Sequence, residues 1–130
     1  MHDELVREGS FSAIKLRLGR DKLEDDIACI AAVRDAVGND VKLMCDFNQG
    51  LSLSNALQRC HALDDHGLYW FEEPITYDNI PGYAQLAREL KTPLQLGENF
   101  YDPRQMYQAL LAWILVRHRS ITPRLRLRPR

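Results

Sequence analysis

At 130 residues the chain has the length of one domain with a modest core, and no apolar run approaches the roughly 20 residues that a membrane-spanning helix needs. Its 45% hydrophobic and 27% charged residues exclude a disordered chain. The formal net charge of −1 hides an asymmetry: all 18 acids lie at or before Asp102, and from Trp113 onward there are six arginines and no acid. With those six set aside, 11 bases face 18 acids, so a body of −7 carries a tail of +6.

The first strand is expected over Phe11–Leu18, with Ile14, Leu16 and Leu18 on one face and Ala13, Lys15 and Arg17 on the other. Gly19 ends it. Asp21 is placed to cap a helix running to about Val37, with Leu23, Ile27, Ile30, Val33 and Val37 at helical spacing and Gly38 just past its end. A second strand follows over Val41–Asn48, with Val41, Leu43, Cys45 and Phe47 opposite Lys42, Met44, Asp46 and Asn48. Ser52 or Ser54 opens the next helix through Ala56, Leu57, Cys60 and Leu63, closed by Gly67. An aromatic strand, Leu68–Glu72, is stopped by Pro74. The rest reads as a helix from Ile80 to Lys91, a strand over Leu94–Glu98, and a helix capped by Asp102 with Pro103 in its first turn.

Short strands alternating with helices predict an α/β fold of parallel βαβ units, either a doubly wound sheet or a TIM-type barrel. No GxGxxG or P-loop follows any strand, which weighs against nucleotide binding. Four units fill about 105 residues, half of a (β/α)8 barrel that typically takes about 250. The expectation is a partial (β/α) barrel of about four units over residues 1–112, followed by an irregular, basic C-terminal tail over 113–130. A half-barrel leaves open strand edges, and pairing with another copy of the chain is one way to cover them.

Each strand ends in charged residues: Lys15 and Arg17, then Asp46 and Asn48, then Glu72 and Glu73, then Glu98 and Asn99. Asp46, Glu72 and Glu98 are 26 residues apart, twice over, which sets one carboxylate per unit on the rim where active sites of parallel α/β folds lie. Three converging carboxylates need a cation, and oxygen-only ligands select Mg²⁺, with Mn²⁺ or Ca²⁺ as the other hard candidates. In the fourth strand Leu94 and Leu96 share parity with Glu98, so alternation alone does not turn Glu98 inward. His61 and His66, beside Cys60 at a helix end, read as surface residues, and His118 sits in the arginine tail with no carboxylate near it in sequence.

The strings Ile14-Lys15-Leu16-Arg17-Leu18-Gly19, Cys45-Asp46-Phe47-Asn48-Gln49, Trp70-Phe71-Glu72-Glu73-Pro74 and Gly97-Glu98-Asn99, one per strand and in order, resemble the mandelate racemase/muconate lactonizing branch of the enolase superfamily over roughly residues 10–112. The resemblance implies that Asp46, Glu72 and Glu98 bind Mg²⁺. It implies an ion that holds a substrate carboxylate and stabilises the enediolate formed when a base removes the α-proton. Asn48, Glu73 and Asn99 would support the metal or the substrate. Lys15 and Arg17 would be the catalytic cations, on a small-molecule carboxylate such as an acid sugar or a 2-hydroxy acid. The family carries Lys-x-Lys here; Arg17 stays protonated and is a poor base, which favours a one-base dehydration over a two-base racemisation.

The family's N-terminal capping domain and its later Asp–His dyad find no counterpart in the matched strings. The expectation is therefore an incomplete enzyme, the alternative being a non-catalytic fragment with residual metal binding. After Ala112 the resemblance stops and Arg, Leu and Pro dominate. The tail lacks the interleaved aromatics of a nucleic-acid module, so neither nucleic acid nor membrane is expected as a partner. A frameshift near Ala112 in GC-rich DNA would produce this composition.

Overall fold

The computed structural model describes residues 12–96, Arg104 and residues 125–127. Five strands form one parallel sheet in the order of the chain: β1 (Ala13–Arg17), β2 (Lys42–Asp46), β3 (Trp70–Glu72), β4 (Leu94–Leu96) and β5 (Leu125–Leu127). Helices α1 (Leu23–Val37), α2 (Leu53–Leu63) and α3 (Ile80–Glu89) make the first three crossovers. The strand order never reverses. A doubly wound sheet would need a switch point; an arc of a (β/α) barrel does not.

Parallel register aligns the side chains in rows. Leu16, Cys45, Phe71 and Leu94 form one row, each at most 4% exposed. They pack with Ile30 and Val33 of α1, Ala56, Cys60 and Leu63 of α2, and Tyr83 and Leu86 of α3. This is the apolar face that alternation in the first two strands predicts. The opposite face carries Lys15, Arg17, Met44, Asp46, Trp70, Glu72 and Gln95.

Local chemistry fixes most helix ends. Ser52, not Ser54, caps α2 by accepting from the Asn55 N–H at 3.1 Å. Asn79 caps α3 by accepting from the Gly82 N–H at 3.0 Å. A Cβ on Gly82 would lie 2.7 Å from both Asn79 Nδ2 and Ile75 Cδ1, so a larger residue there would push the capping side chain and Ile75 aside. Gly38 ends α1 with φ +82°, as its place in the sequence predicts.

Asp21 does not cap α1. The cap position is Lys22, whose donor-only ammonium makes no side-chain cap bond, and the Gly19 and Arg20 N–H groups just before it turn to Asp26. Gly67 does not close α2 either; the helix stops at Leu63, and Gly67 lies in the following loop with φ +69°. Asp64, the α2 C-cap, accepts from the Lys91 and Thr92 N–H groups at 2.9 and 2.8 Å and so pins the start of β4.

Among the described residues no helix is long and apolar enough to cross a membrane. The helix expected from Asp102 lies outside the described residues except Arg104, which is helical. Of the arginine-rich tail the described part is Leu125–Leu127, which pairs in parallel with Leu94–Leu96.

Candidate active site

The register that builds the core also builds the rim. Arg17 pairs with Asp46, Asp46 with Glu72, and Glu72 with Gln95, giving one row across four strands at their C-terminal ends. Lys15 stands two residues before Arg17 on the same face. Its ammonium donates to Glu72 Oε2 at 2.7 Å and lies 3.7 Å from Asp46 Oδ2. One cation thus serves two carboxylates from adjacent strands.

Glu72 is 1% exposed. Burial pushes its carboxyl above the usual carboxylate range; the Lys15 hydrogen bond opposes the rise, and the Asp46 carboxyl alongside adds to it. Asp46 is more open, and its Oδ1 accepts from the Asn48 N–H at 2.8 Å, which fixes the carboxylate against its own turn. Arg17 is exposed on the rim.

The turns after β2 and β3 hold the non-glycine residues with positive φ among those described: Asn48 at +47°, Gln49 at +62° and Glu73 at +44°. Such conformations cost about 1 kcal/mol or more each and gather where a site dictates backbone direction. Here two backbone bonds explain them: the Gln49 N–H donates to the Glu73 carbonyl at 2.7 Å, and the Phe47 N–H to the Glu72 carbonyl at 3.0 Å. The Gln49 side chain in turn accepts from the Tyr77 N–H at 2.9 Å. Glu73 is buried away from the rim, and its charge, after burial itself, helps to push the Tyr83 phenol up.

Glu98 and Asn99 lie outside the described residues. Among those described, no three His, Cys, Asp or Glu side chains form a metal-holding group, so the structure brings together Lys15, Asp46 and Glu72 of the expected set, with Arg17 in the row. His61 is half-exposed, 3.4 Å from Glu89, and takes no part.

Two features escaped the reading of the sequence. Asp26 occupies a buried position on α1 and is 0% exposed. It accepts from the Gly19 and Arg20 N–H groups, from Arg20 Nη1 at 3.3 Å and from Arg59 Nη1 at 2.5 Å, so it holds the loop that leaves β1. The signal was an acid four and seven residues before the pattern positions Ile30 and Val33, with glycine seven residues upstream. Gln95 is the other: it is buried, and it occupies the β4 position of the rim row. Beside the rim, on the helix side, a polar cleft of about 440 Å³ is lined by Arg20, Asn55, Gln58 and Arg59 among others.

Residues 1–114 match the sequence model of the enolase C-terminal domain-like family. The chain belongs to that family. It is 36% identical over 107 residues to L-talarate/galactarate dehydratase of Salmonella typhimurium, covering 82% of this chain and 27% of that enzyme. It is 35% identical over 106 residues to D-galactarolactone cycloisomerase of Agrobacterium fabrum, covering 82% and 28%. Among solved structures, an enolase from alpha proteobacterium bal199 with bound Mg superposes with a TM-score of 0.81 at 55% identity, over 85% of this chain and 31% of that one. L-Talarate dehydratase from Polaromonas sp. JS666, complexed with Mg and L-glucarate, gives 0.76 at 30% identity, over 93% and 34%. This enolase-family chain therefore spans less than a third of the length of the curated relatives it matches.

Proposed function

We propose that the chain carries the metal-binding side of an enolase-superfamily active site, in which Mg²⁺ assists removal of a proton α to a carboxylate. The observation that carries this reading is the buried Glu72 carboxyl beside Asp46 at the C-terminal rim, with the Lys15 ammonium at 2.7 and 3.7 Å from the two. The site calls for positive charge and offers oxygen ligands alone, which is the donor set that hard divalent ions prefer. Asp46 and Glu72 would hold Mg²⁺ with Glu98, and Mn²⁺ would be tolerated. Bound there, the ion would hold a substrate carboxylate and offset the charge that develops as the α-proton leaves.

The chain's own groups divide the remaining work. Arg17, permanently charged and on the rim, is suited to clamp a second anionic group of the substrate. Lys15 is the group able to give up and accept a proton on this face; Arg17 is not. Asn48 fixes the orientation of Asp46, Glu73 braces the turn behind Glu72, and Asn99 is placed by sequence to support the substrate. An acid sugar is the substrate class, in line with the named dehydratase and cycloisomerase relatives.

The share of its relatives that the chain spans, under a third of their length, favours a second reading: metal binding without turnover by this chain alone. Incubation with a panel of acid sugars and Mg²⁺, followed for loss of water or exchange of the α-proton, separates the two. Turnover that vanishes in Lys15→Met supports the first reading. Mg²⁺ binding with no turnover supports the second.

A further inference from the structure

We propose that Lys15 is an internal counter-cation that occupies the metal position in the metal-free state, so that Mg²⁺ binds by displacing it. This rests on the metal reading above and adds an order of events to it. Lys15 reaches across from β1 to Glu72 on β3 and also approaches Asp46 on β2 between them, so a single ammonium sits against both candidate ligands. A divalent ion within about 2.1 Å of those same oxygens would leave no room for an ammonium at hydrogen-bond distance on the same lone pairs, and it would repel it.

Glu72 explains why such a placeholder is needed. At 1% exposure its carboxylate lies next to that of Asp46, and two adjacent carboxylates without a cation destabilise a folded protein. Lys15 is suited to leave: its side chain is 40% exposed on a flexible stem, so the ammonium can swing into water while its backbone stays in β1. The consequence is ordered binding. Lys15 is committed to Glu72 until the metal arrives, and only then is its amine available to a substrate. Metal-free protein therefore presents no free Lys15 to a carboxylate ligand.

The test is isothermal titration of Mg²⁺ into the wild-type chain, Lys15→Met, Lys15→Gln and Lys15→Arg, each checked for wild-type circular dichroism. Removing the competing charge should tighten Mg²⁺ binding by about tenfold or more in Lys15→Met and Lys15→Gln, whereas Lys15→Arg, which keeps the charge, should stay near wild type. Wild-type binding that is unchanged or weakened in both neutral variants overturns the displacement and leaves the metal site standing. No Mg²⁺ binding by any of the four overturns both. A second measurement needs no variant to fold: the side-chain NMR signal of Lys15 in wild-type protein should move when Mg²⁺ is added, and a signal that stays in place while Mg²⁺ binds contradicts the proposal.

Discussion

Asp26 on α1 and Arg59 on α2 meet at 2.5 Å, with Asp26 fully buried and the Arg59 side chain 13% exposed. The carboxylate also takes the Gly19 and Arg20 N–H groups, and Arg59 Nη1 reaches the Arg20 carbonyl at 2.8 Å. One pair thus ties two helices to the loop that carries the chain away from Lys15 and Arg17.

Breaking that pair should be costly. Asp26→Ala leaves a buried guanidinium and two backbone donors without their acceptor, and the loss should be about 3–5 kcal/mol. Arg59→Ala should cost a comparable amount, and the double variant less than the sum of the two. Urea denaturation measures this. Additive effects would show that the two residues act separately.

Ser52 and Ser54 both stand where a helix could begin in the sequence, and the structure assigns the cap to Ser52 alone. Ser52→Ala should lower stability by about 1 kcal/mol, while Ser54→Ala, inside the first turn, should change it by less than about 0.5 kcal/mol. Thermal unfolding of the two variants distinguishes them.

Cys45 and Cys60 are both fully buried, and burial pushes both thiols above their ordinary value of 9.0. A thiol that ionises more readily unfolded than folded contributes stability that is complete below the unfolded value and is lost as pH rises toward the folded one. Stability should therefore fall above about pH 9, each thiol contributing a slope of about 1.4 kcal/mol per pH unit. Cys60→Ala should make that slope shallower. A thiol reagent at neutral pH should modify Cys29, which is partly exposed, well before Cys45 or Cys60. Equal reactivity of all three would contradict the buried assignment.

The sequence made the strand faces legible because β1 and β2 alternate cleanly, and it made the rim legible because Asp46 and Glu72 repeat one position per unit. Gly38 was visible, and the α2 cap narrowed to Ser52 or Ser54, for the same local reason: their chemistry acts within three or four residues. What was not legible depends on contacts across the chain. Asp26 looks like one more acid in a first turn of three, Glu24, Asp25 and Asp26, until Arg59 arrives from 33 residues away. Gln95 sits between Leu94 and Leu96, and only the register with Glu72 marks it as a rim residue. Lys15 was legible as a cation on the right face; its choice of Glu72 over Asp46 as the closer partner was not.

The proposed chemistry depends most on Asp46 and Glu72 forming a divalent-cation site. Isothermal titration of Mg²⁺ into the wild-type chain and Glu72→Gln tests this directly, because the substitution removes a charge and keeps the size of the side chain. Saturable binding by wild type, weakened about tenfold or more in Glu72→Gln, is the predicted result, since even partners behind a metal ligand typically contribute about 10–100-fold. Equal affinity in the two proteins would contradict the site.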